Sequence, residues 1–485
     1  MTKPAAFSVE LARKRAQTLF AALPPVIHEL GELFAEAGHD LALVGGPVRD
    51  ALLGRSSSDW DFTTSARPDQ TEAILRKFAP AIWDMGRDFG TLGAQKGDLK
   101  VEITTYRTEE YDPTSRKPQV AFGDNIEGDL SRRDFTVNAM AVKIPSLEFV
   151  DPFDGLEDLA KGLLRTPVAP EQSFDDDPLR MMRAVRFVSQ LGFRIEAETA
   201  GAIHDRASRI EIVSAERVRE ELTKLILGAH PREGLELMTD LGLADYVLPE
   251  LPALQLEIDE HHHHKDVYQH SLKVLEQAIA QETEADGECP GPNLVLRLAA
   301  LLHDIGKPAT RKFEPGGAVS FRNHDVVGAK LTTKRMKALT FDKDTTKKVS
   351  RLVELHMRFH GYQEANWTDS AVRRYVNDAG ELLPHLHRLT RADVTTRNKK
   401  KAQNLSEAYD ELEARIERIS EEEELKSIRP DLDGQEIMDI LGLKPGREVG
   451  KARAYLLDLR MEEGPLGKEV AKERLLQWWK AEKAN

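Results

Sequence analysis

Near residue 156 the periodicity of the apolar residues changes, and this switch narrows the available folds more than any other feature. From 41 to about 150, short apolar runs alternate with turn residues. LALVGG (41–46) reads as a strand entering a glycine turn, VEITTYR (101–107) and AMAVKI (139–144) read as strands, and the spacing predicts a helix near 69–78. Between them TEEYDPTSRKP (108–118) reads as a polar loop. Beyond 156 the pattern is almost wholly helical, with breaks at 162, 192, 228–231, 242 and 249–252 and a loop at DGECPGPN (286–293). Ahead of the mixed region, Leu11, Leu19, Phe20, Val26, Ile27, Leu30, Leu33 and Phe34 fall at helical spacing around a break at Pro24-Pro25. The class is therefore α+β, a small mixed head followed by a long helical body. No fixed period repeats. At roughly 150 residues per domain, 485 residues suggest about three domains.

Charge adds one exclusion. With 68 basic and 82 acidic residues the net is −14, which rules out a uniformly basic nucleic-acid coat. A local basic groove inside an acidic whole stays open. Cys289 is the single cysteine, so an intramolecular disulfide and a cysteine-rich zinc site are both excluded. MTKPAAFSVELARKRAQ (1–17) lacks the apolar core of a signal peptide, and no stretch approaches the ~20 apolar residues of a membrane span, so a cytoplasmic chain without membrane contact is expected.

The head concentrates charge near its turns. GGPVRD (45–50) is followed by SSSDWDF (56–62). Gly45 and Gly46 would let a backbone approach a phosphate, and Arg49 could clamp it, although a glycine pair is also simply a turn. On a strand, Asp59 and Asp61 would share one face. Two carboxylates that close are costly unless a hard cation such as Mg²⁺ neutralises them. The alternative is a solvated loop. Glu102, on a neighbouring predicted strand, either completes a three-carboxylate cluster or is an exposed strand glutamate. RRDFTVNA (132–139) adds Arg133, Asp134 and Asn138 directly before an apolar strand, and DPFDG (151–155) follows. In DDDPLRMMRAVRF (175–187), Asp177, Arg180, Arg183 and Arg186 are spaced by three, so they line one side of a helix whose core stripe is Met181, Met182, Val185 and Val188.

These segments, with SAERVREELTKLI (214–226), match in order the head and neck motifs of class II tRNA nucleotidyltransferases, which the chain resembles over about 40–250. HHHHKDVYQHSL (261–272) and LAALLHDIGKPAT (298–310) extend the resemblance through an HD domain, in the arrangement of actinobacterial members. The resemblance implies a polymerase-β-like nucleotidyltransferase head followed by a mostly α-helical neck, HD domain and tail. It implies CCA addition to tRNA 3′ ends from CTP and ATP by two-Mg²⁺ transfer, with Asp59, Asp61 and Glu102 catalytic. Gly45, Gly46 and Arg49 would touch the triphosphate, Arg133, Asp134 and Asn138 ribose or phosphate, and Arg183 and Arg186 the helix or triphosphate. By the family's pattern Asp177 and Arg180 read the base edge. Cytosine and adenine each present an amino donor and a ring-nitrogen acceptor, so an aspartate beside an arginine accepts both and leaves uracil and guanine unpaired. A bacterial poly(A) polymerase shares these motifs, but WDMGRDFGTLGA (83–94) is similar to the run of CCA enzymes. The undeleted stretch between Thr105 and Arg132 resembles the flexible element tied to A addition. The rival from another class is an HD phosphohydrolase with a regulatory head.

His270, His303, Asp304 and Asp393 follow the order H…HD…D, a sound donor set for a divalent transition metal of unspecified identity. His324, with His356 or His360, could expand it to a binuclear site. The run His261, His262, His263 and His264 reads as an exposed entry to the HD helix, because consecutive side chains diverge. Basic stretches that either grip an RNA stem or are simply solvated are Lys330, Lys334, Arg335, Lys337, Lys343, Lys347 and Lys348, and the run 397–401. Leu405, Tyr409, Leu412, Ile416 and Ile419 form a stripe too short for a free coiled coil and are expected to pack within the chain. DGQEIMDILGLKPGREVGKA (433–452) has the family tail's helix–Pro-Gly–helix look. The expected layout is an N-terminal helical segment (1–38), head (39–160), neck (161–255), HD domain (256–400) and tail (401–485). No segment points to a protein partner.

Overall fold

The computed structural model describes residues 8–55, 60–86, 90–110, 119–255, 266–315, 319–359, 362, 367–395, 398–423 and 429–484. Asp59, His261 to His264, His360 and Arg397 lie outside the described residues. The chain divides into two compact units, 1–252 and 253–485.

The first unit is built on a seven-stranded sheet. Its strands are β1 (Leu41–Val44), β2 (Asp61–Thr64), β3 (Ala81–Gly86), β4 (Thr91–Lys96) and β5 (Leu99–Thr105), with β8 (Ala141–Ile144) and β9 (Phe149–Val150), in the order β3-β4-β5-β2-β1-β8-β9. Only β2 and β5 run parallel. Between β5 and β8, β6 (Arg107–Glu110) and β7 (Gln119–Phe122) form a separate antiparallel hairpin. The polar segment from 108 thus begins as a strand, which its lack of alternating apolar residues hid.

Two N-terminal helices, Val9–Ala21 and Pro25–Glu36, are separated at the expected proline pair. Ile27, Leu30 and Phe34 are fully buried, whereas Leu11 and Leu19 are exposed and Ala12 and Phe20 take the inward positions. Gly31 permits the close approach of its helix to the sheet, since a Cβ there would lie 2.3 Å from Ile144 Cγ2. In the neck, helix Leu179–Leu191 buries Met181, Met182, Val185 and Val188 as expected and packs on helices Ala215–Ile226 and Pro231–Asp240. A short parallel pair, Leu163–Leu164 with Arg194–Ile195, interrupts the otherwise helical texture.

The second unit is helical apart from a small antiparallel pair, Lys312–Phe313 with Val319–Ser320. Tyr409, Leu412 and Ile419 of helix Lys399–Glu423 are buried within the chain, as their spacing suggested. The last three helices close on their own core of Leu432, Ile437, Ala452, Leu456, Ala471 and Leu475.

Candidate active site and metal cluster

Gly45 ends β1 at φ +72°, a left-handed conformation that glycine adopts without penalty, and the helix Gly46–Leu52 starts at once. A Cβ on Gly45 would sit 3.1 Å from Arg133 Nη1, so the turn lies against the next motif. Arg49 donates from Nη1 to Asn138 Oδ1 at 2.8 Å and from Nε to Asp50 Oδ1 at 3.0 Å.

Asp61 opens β2 and is the register partner of Glu102 on parallel β5. Register partners share a face of the sheet, and both carboxylates line the same cleft. One strand position on, Phe62 turns into the core, while Thr63 returns to the face of Asp61 and donates to Asp129 Oδ2 at 3.0 Å. Paired carboxylates on adjacent strands are an oxygen donor set that fits a hard divalent cation.

The neck supplies the opposite wall. Arg180 is buried and donates to Ser173 Oγ at 2.9 Å and to the Arg132 carbonyl at 2.5 Å. Asp177 is not part of the arginine-bearing helix but of the bend before it. Its Oδ1 accepts from Leu179 N at 3.1 Å and its Oδ2 from Arg217 at 3.2 Å. Arg183 Nε donates to Asp134 Oδ2 at 2.7 Å. Burial alone would raise the Asp134 carboxyl, but Arg183, Asn138 and the Phe135 amide hold it at about 2. Arg186 pairs with Glu221 at 2.9 Å, and burial brings its guanidinium down to about 10 against the pull of that carboxylate. Phe187 seats three of these cations, with Arg186, Arg49 and Arg183 at 4.2, 5.2 and 5.9 Å from its ring centre.

The result is a cleft of about 680 Å³ lined by every described head and neck candidate: Gly45, Gly46, Arg49, Asp61, Glu102, Arg133, Asp134, Asn138, Asp177, Arg180, Arg183 and Arg186. Arg107, Arg132, Gln190 and Lys224 line it too and were not singled out from sequence. Lys224 had a local signal, lying one helical turn beyond the Arg186 partner Glu221. Arg107 had none: it stood at the end of the run 101–107 read as a strand, and nothing in that run set it apart. Eight cationic side chains face four carboxylates there, within a chain of net −14. Such a focus of positive charge in a polar cleft suits a polyphosphate.

In the second unit, helix ends converge on Asp304. His303 and Asp304 follow helix Leu294–Leu302, Asp393 follows Leu383–Ala392, His356 follows Lys343–Leu355, and His324 begins His324–Ala338. His270 reaches in from helix Val267–Ile279. Asp304 Oδ2 lies 3.2 Å from His303 Nε2 and 3.5 Å from His270 Nε2, and Asp393 Oδ1 is 2.9 Å from His270 Nε2. Asp304 Oδ1 lies 3.3 Å from His324 Nε2 and 4.0 Å from His356 Nε2. The sequence-read set of four is thus brought together, and His324 and His356 add a second group around the other oxygen of Asp304. The Nδ1 atoms of His303, His324 and His356 lie 2.8, 2.8 and 2.6 Å from the Ala300, Phe321 and Val353 carbonyls. A carbonyl can only accept, so each ring carries a proton on Nδ1 and turns Nε2 toward Asp304, the orientation that metal-ligating imidazoles need. Burial lowers His303, yet Asp304 more than offsets this and raises it to about 9, while burial and neighbouring His303 push His356 to about 4. The donor set fits one or two divalent metals.

Among the described residues no helix is long and apolar enough to cross a membrane.

Comparison with known proteins agrees with this layout. The Poly A polymerase head domain family matches residues 41–165, the family described as "Probable RNA and SrmB- binding site of polymerase A" matches 192–254, and the HD domain family matches 267–398. An A-adding tRNA nucleotidyltransferase of Deinococcus radiodurans is 33% identical over 91% of this chain and 96% of its own length. A CC-adding tRNA nucleotidyltransferase of Thermus thermophilus is 32% identical over 90% and 93%. The crystal structure of the Bacillus stearothermophilus CCA-adding enzyme with CTP shares the fold, with a TM-score of 0.67 at 23% identity over 96% of this chain and 100% of that one. With a third of its residues identical across nearly the full length of two such enzymes, this chain belongs to the tRNA nucleotidyltransferase family.

Proposed function

We propose that this protein adds C, C and A to the 3′ end of tRNA, consuming CTP and ATP and releasing pyrophosphate. The observation that carries the reading is the convergence of Asp61 and Glu102 with Asp177 and Arg180 on one cationic cleft. The tRNA 3′-hydroxyl would attack the α-phosphorus, and the pyrophosphate would leave into the arginine-lined wall. Asp61 and Glu102, with Asp59, would hold Mg²⁺, which when bound supplies an activated hydroxyl and neutralises triphosphate charge. Arg49, Arg133, Arg183 and Arg186 fix the triphosphate, so that positioning and electrostatics carry the rate. Asp177 accepts from the amino group of C or A, and Arg180 donates to the ring nitrogen. The Asp177 carboxylate has roughly four lone-pair directions, of which Leu179 N and Arg217 occupy two. A cytoplasmic location goes with the tRNA substrate. The division into head (39–160), neck (161–255), HD domain (256–400) and tail (401–485) is part of the same reading.

Full CCA addition is favoured over a partial specialist because the stretch between Thr105 and Arg132 is present, with β6 and β7 paired within it. The test is incorporation into a tRNA transcript lacking CCA, with Mg²⁺ and CTP, ATP or both. Addition of C, C and then A, stopping there, is the expected result. Two Cs only, or a lone A on a transcript ending in CC, would make it a specialist like the two relatives. A long A tail from ATP alone would make it a poly(A) polymerase.

A second reading concerns the second unit. The six-residue cluster around Asp304 favours metal-dependent phosphoester hydrolysis. Hydrolysis of a 2′,3′-cyclic nucleotide by the metal-loaded protein, lost in His303→Ala, is the expected outcome. Absence of turnover with every divalent ion tried would reduce the cluster to a structural metal site.

A further inference from the structure

Helices His324–Ala338 and Lys343–Leu355 pack side by side and leave between them a groove of about 770 Å³ whose walls include none of the metal-cluster residues. Within it Thr333 Oγ1 and Ser350 Oγ are hydrogen-bonded at 2.8 Å, among aliphatic groups such as Val326, Ala329 and Leu382. Lys330 and Lys337 stand on one wall, Lys343 and Lys347 on the other, and Lys334 lies one turn beyond Lys330 on the same exposed helix face. At a rise of about 1.5 Å per residue, Lys330, Lys334 and Lys337 form a ladder with steps of about 6 and 4.5 Å.

The charges of this groove divide in a telling way. Its carboxylates are taken: Asp344 and Glu381 by Lys348, at 2.8 and 3.7 Å, and Glu354 and Asp378 by Arg351, at 2.6 and 3.8 Å. Lys330, Lys334, Lys337, Lys343 and Lys347 form no ion pair with any described residue. Five unneutralised ammonium groups thus gather on one surface of a chain whose net charge is −14.

We propose that this groove is an RNA-binding surface that holds backbone phosphates of the tRNA substrate, an inference that rests on the tRNA reading above. A protein partner would call for aromatic or arginine anchors in a desolvated centre, with lysine depleted. Here the one lining arginine, Arg351, is already tied to Glu354 and the Asp378 carbonyl, Phe341 is half-buried, and the unpaired charge is all lysine. Phosphates take lysine as a point charge, and A-form stems are held through phosphate and shape rather than base edges. Concentrating the cations in one groove lets an acidic protein hold a polyanion that its average charge repels.

The test uses the full chain and a tRNA transcript lacking CCA, with binding measured over a KCl series. The triple variant Lys330→Glu/Lys334→Glu/Lys337→Glu is expected to bind the transcript at least tenfold more weakly. The slope of log K against log salt should shrink by about 2, since each lost phosphate contact removes roughly 0.7–0.9. The rate at saturating full-length tRNA should be unchanged. Lys343→Ala/Lys347→Ala, a gentler change on the facing wall, should give a smaller effect in the same direction. Unchanged affinity and slope in both variants would overturn the proposal. Retention of an acidic protein instead of RNA would also overturn it. Failure of the parent to extend any tRNA would strike the catalytic reading, while the salt slope would still report on the groove.

Discussion

Asp134 and Arg183 tie the turn before β8 to the arginine-bearing neck helix through a 2.7 Å hydrogen bond between a buried carboxylate and a guanidinium. The same carboxylate accepts from the Phe135 amide at 2.8 Å and from Asn138 Nδ2 at 3.0 Å, and Asn138 in turn accepts from Arg49. One chain of hydrogen bonds therefore runs from the glycine turn to the neck. Asp134 organises the two walls of the cleft and spends most of its acceptor capacity in doing so.

Arg183→Ala is expected to weaken the fold by about 2 kcal/mol, in the range for losing a charged hydrogen bond to a buried group. The effect should depend on pH. Asp134 is depressed from 3.8 to about 2 in the folded chain, so its contribution is complete above the unfolded value and is lost as pH falls through about 2. Without Arg183 the folded value rises, and acid unfolding should begin at higher pH. Circular dichroism melts of parent and variant between pH 2 and 6 check this. Identical acid limbs would refute it.

Asp61→Asn and Glu102→Gln each remove one charge from a pair that shares a sheet face. Loss of several kcal/mol of transition-state stabilisation corresponds to a fall in incorporation of about a thousandfold. Thermal stability should stay level or rise, because relieving two adjacent like charges favours the apo fold. Phosphoester hydrolysis by the second unit should be unaffected. A Glu102→Gln protein of near-parental rate would leave Glu102 as a strand residue with no catalytic part.

Why some of this was legible in sequence and some was not follows from distance along the chain. Gly45, Arg49 and Asp61 sit beside a strand–turn boundary that periodicity marks, and Arg180, Arg183 and Arg186 declare themselves by helical spacing. Asp177 was assigned to the same helix, yet it caps the bend before it, a difference of one turn that spacing alone does not resolve. The pairing of Asp61 with Glu102 spans 41 positions and depends on β2 and β5 being parallel, which no local pattern encodes. Leu11, Leu19 and Phe20 all looked inward by spacing, but of the three Phe20 is buried, together with Ala12, and the two leucines are exposed. In the second unit, His324 and His356 were only optional ligands because their nearness to Asp304 comes from helix ends meeting in space.

Asp177→Asn should separate base reading from stability. The amide keeps an oxygen for the Leu179 N–H but offers one acceptor where the carboxylate offered two. Selection of CTP over UTP should fall by 10- to 100-fold, about 1–3 kcal/mol, with little change in melting temperature. Arg180→Ala should lower both, since Arg180 also holds Ser173 and the Arg132 carbonyl. Competition assays with paired nucleotides, alongside melts, distinguish the two. Equal stability losses in both variants would mean that Asp177 serves the bend rather than the base.

Metal content is the most direct reading of the cluster around Asp304. One carboxylate faces His270 and His303 with one oxygen and His324 and His356 with the other. The three Nδ1 atoms set against backbone carbonyls leave the Nε2 positions pointing inward without rearrangement. Protein purified with a transition metal and freed of loosely held ions by gel filtration should retain two ions per chain. His324→Ala/His356→Ala should retain one, and Asp304→Ala none. The double variant keeps His270, His303, Asp304 and Asp393, so any phosphoester hydrolysis that survives in it is mononuclear, and hydrolysis lost along with the second ion is binuclear. A single ion in the parent, unchanged in the double variant, would rule out the bridging role of Asp304 and return His324 and His356 to the packing of the bundle.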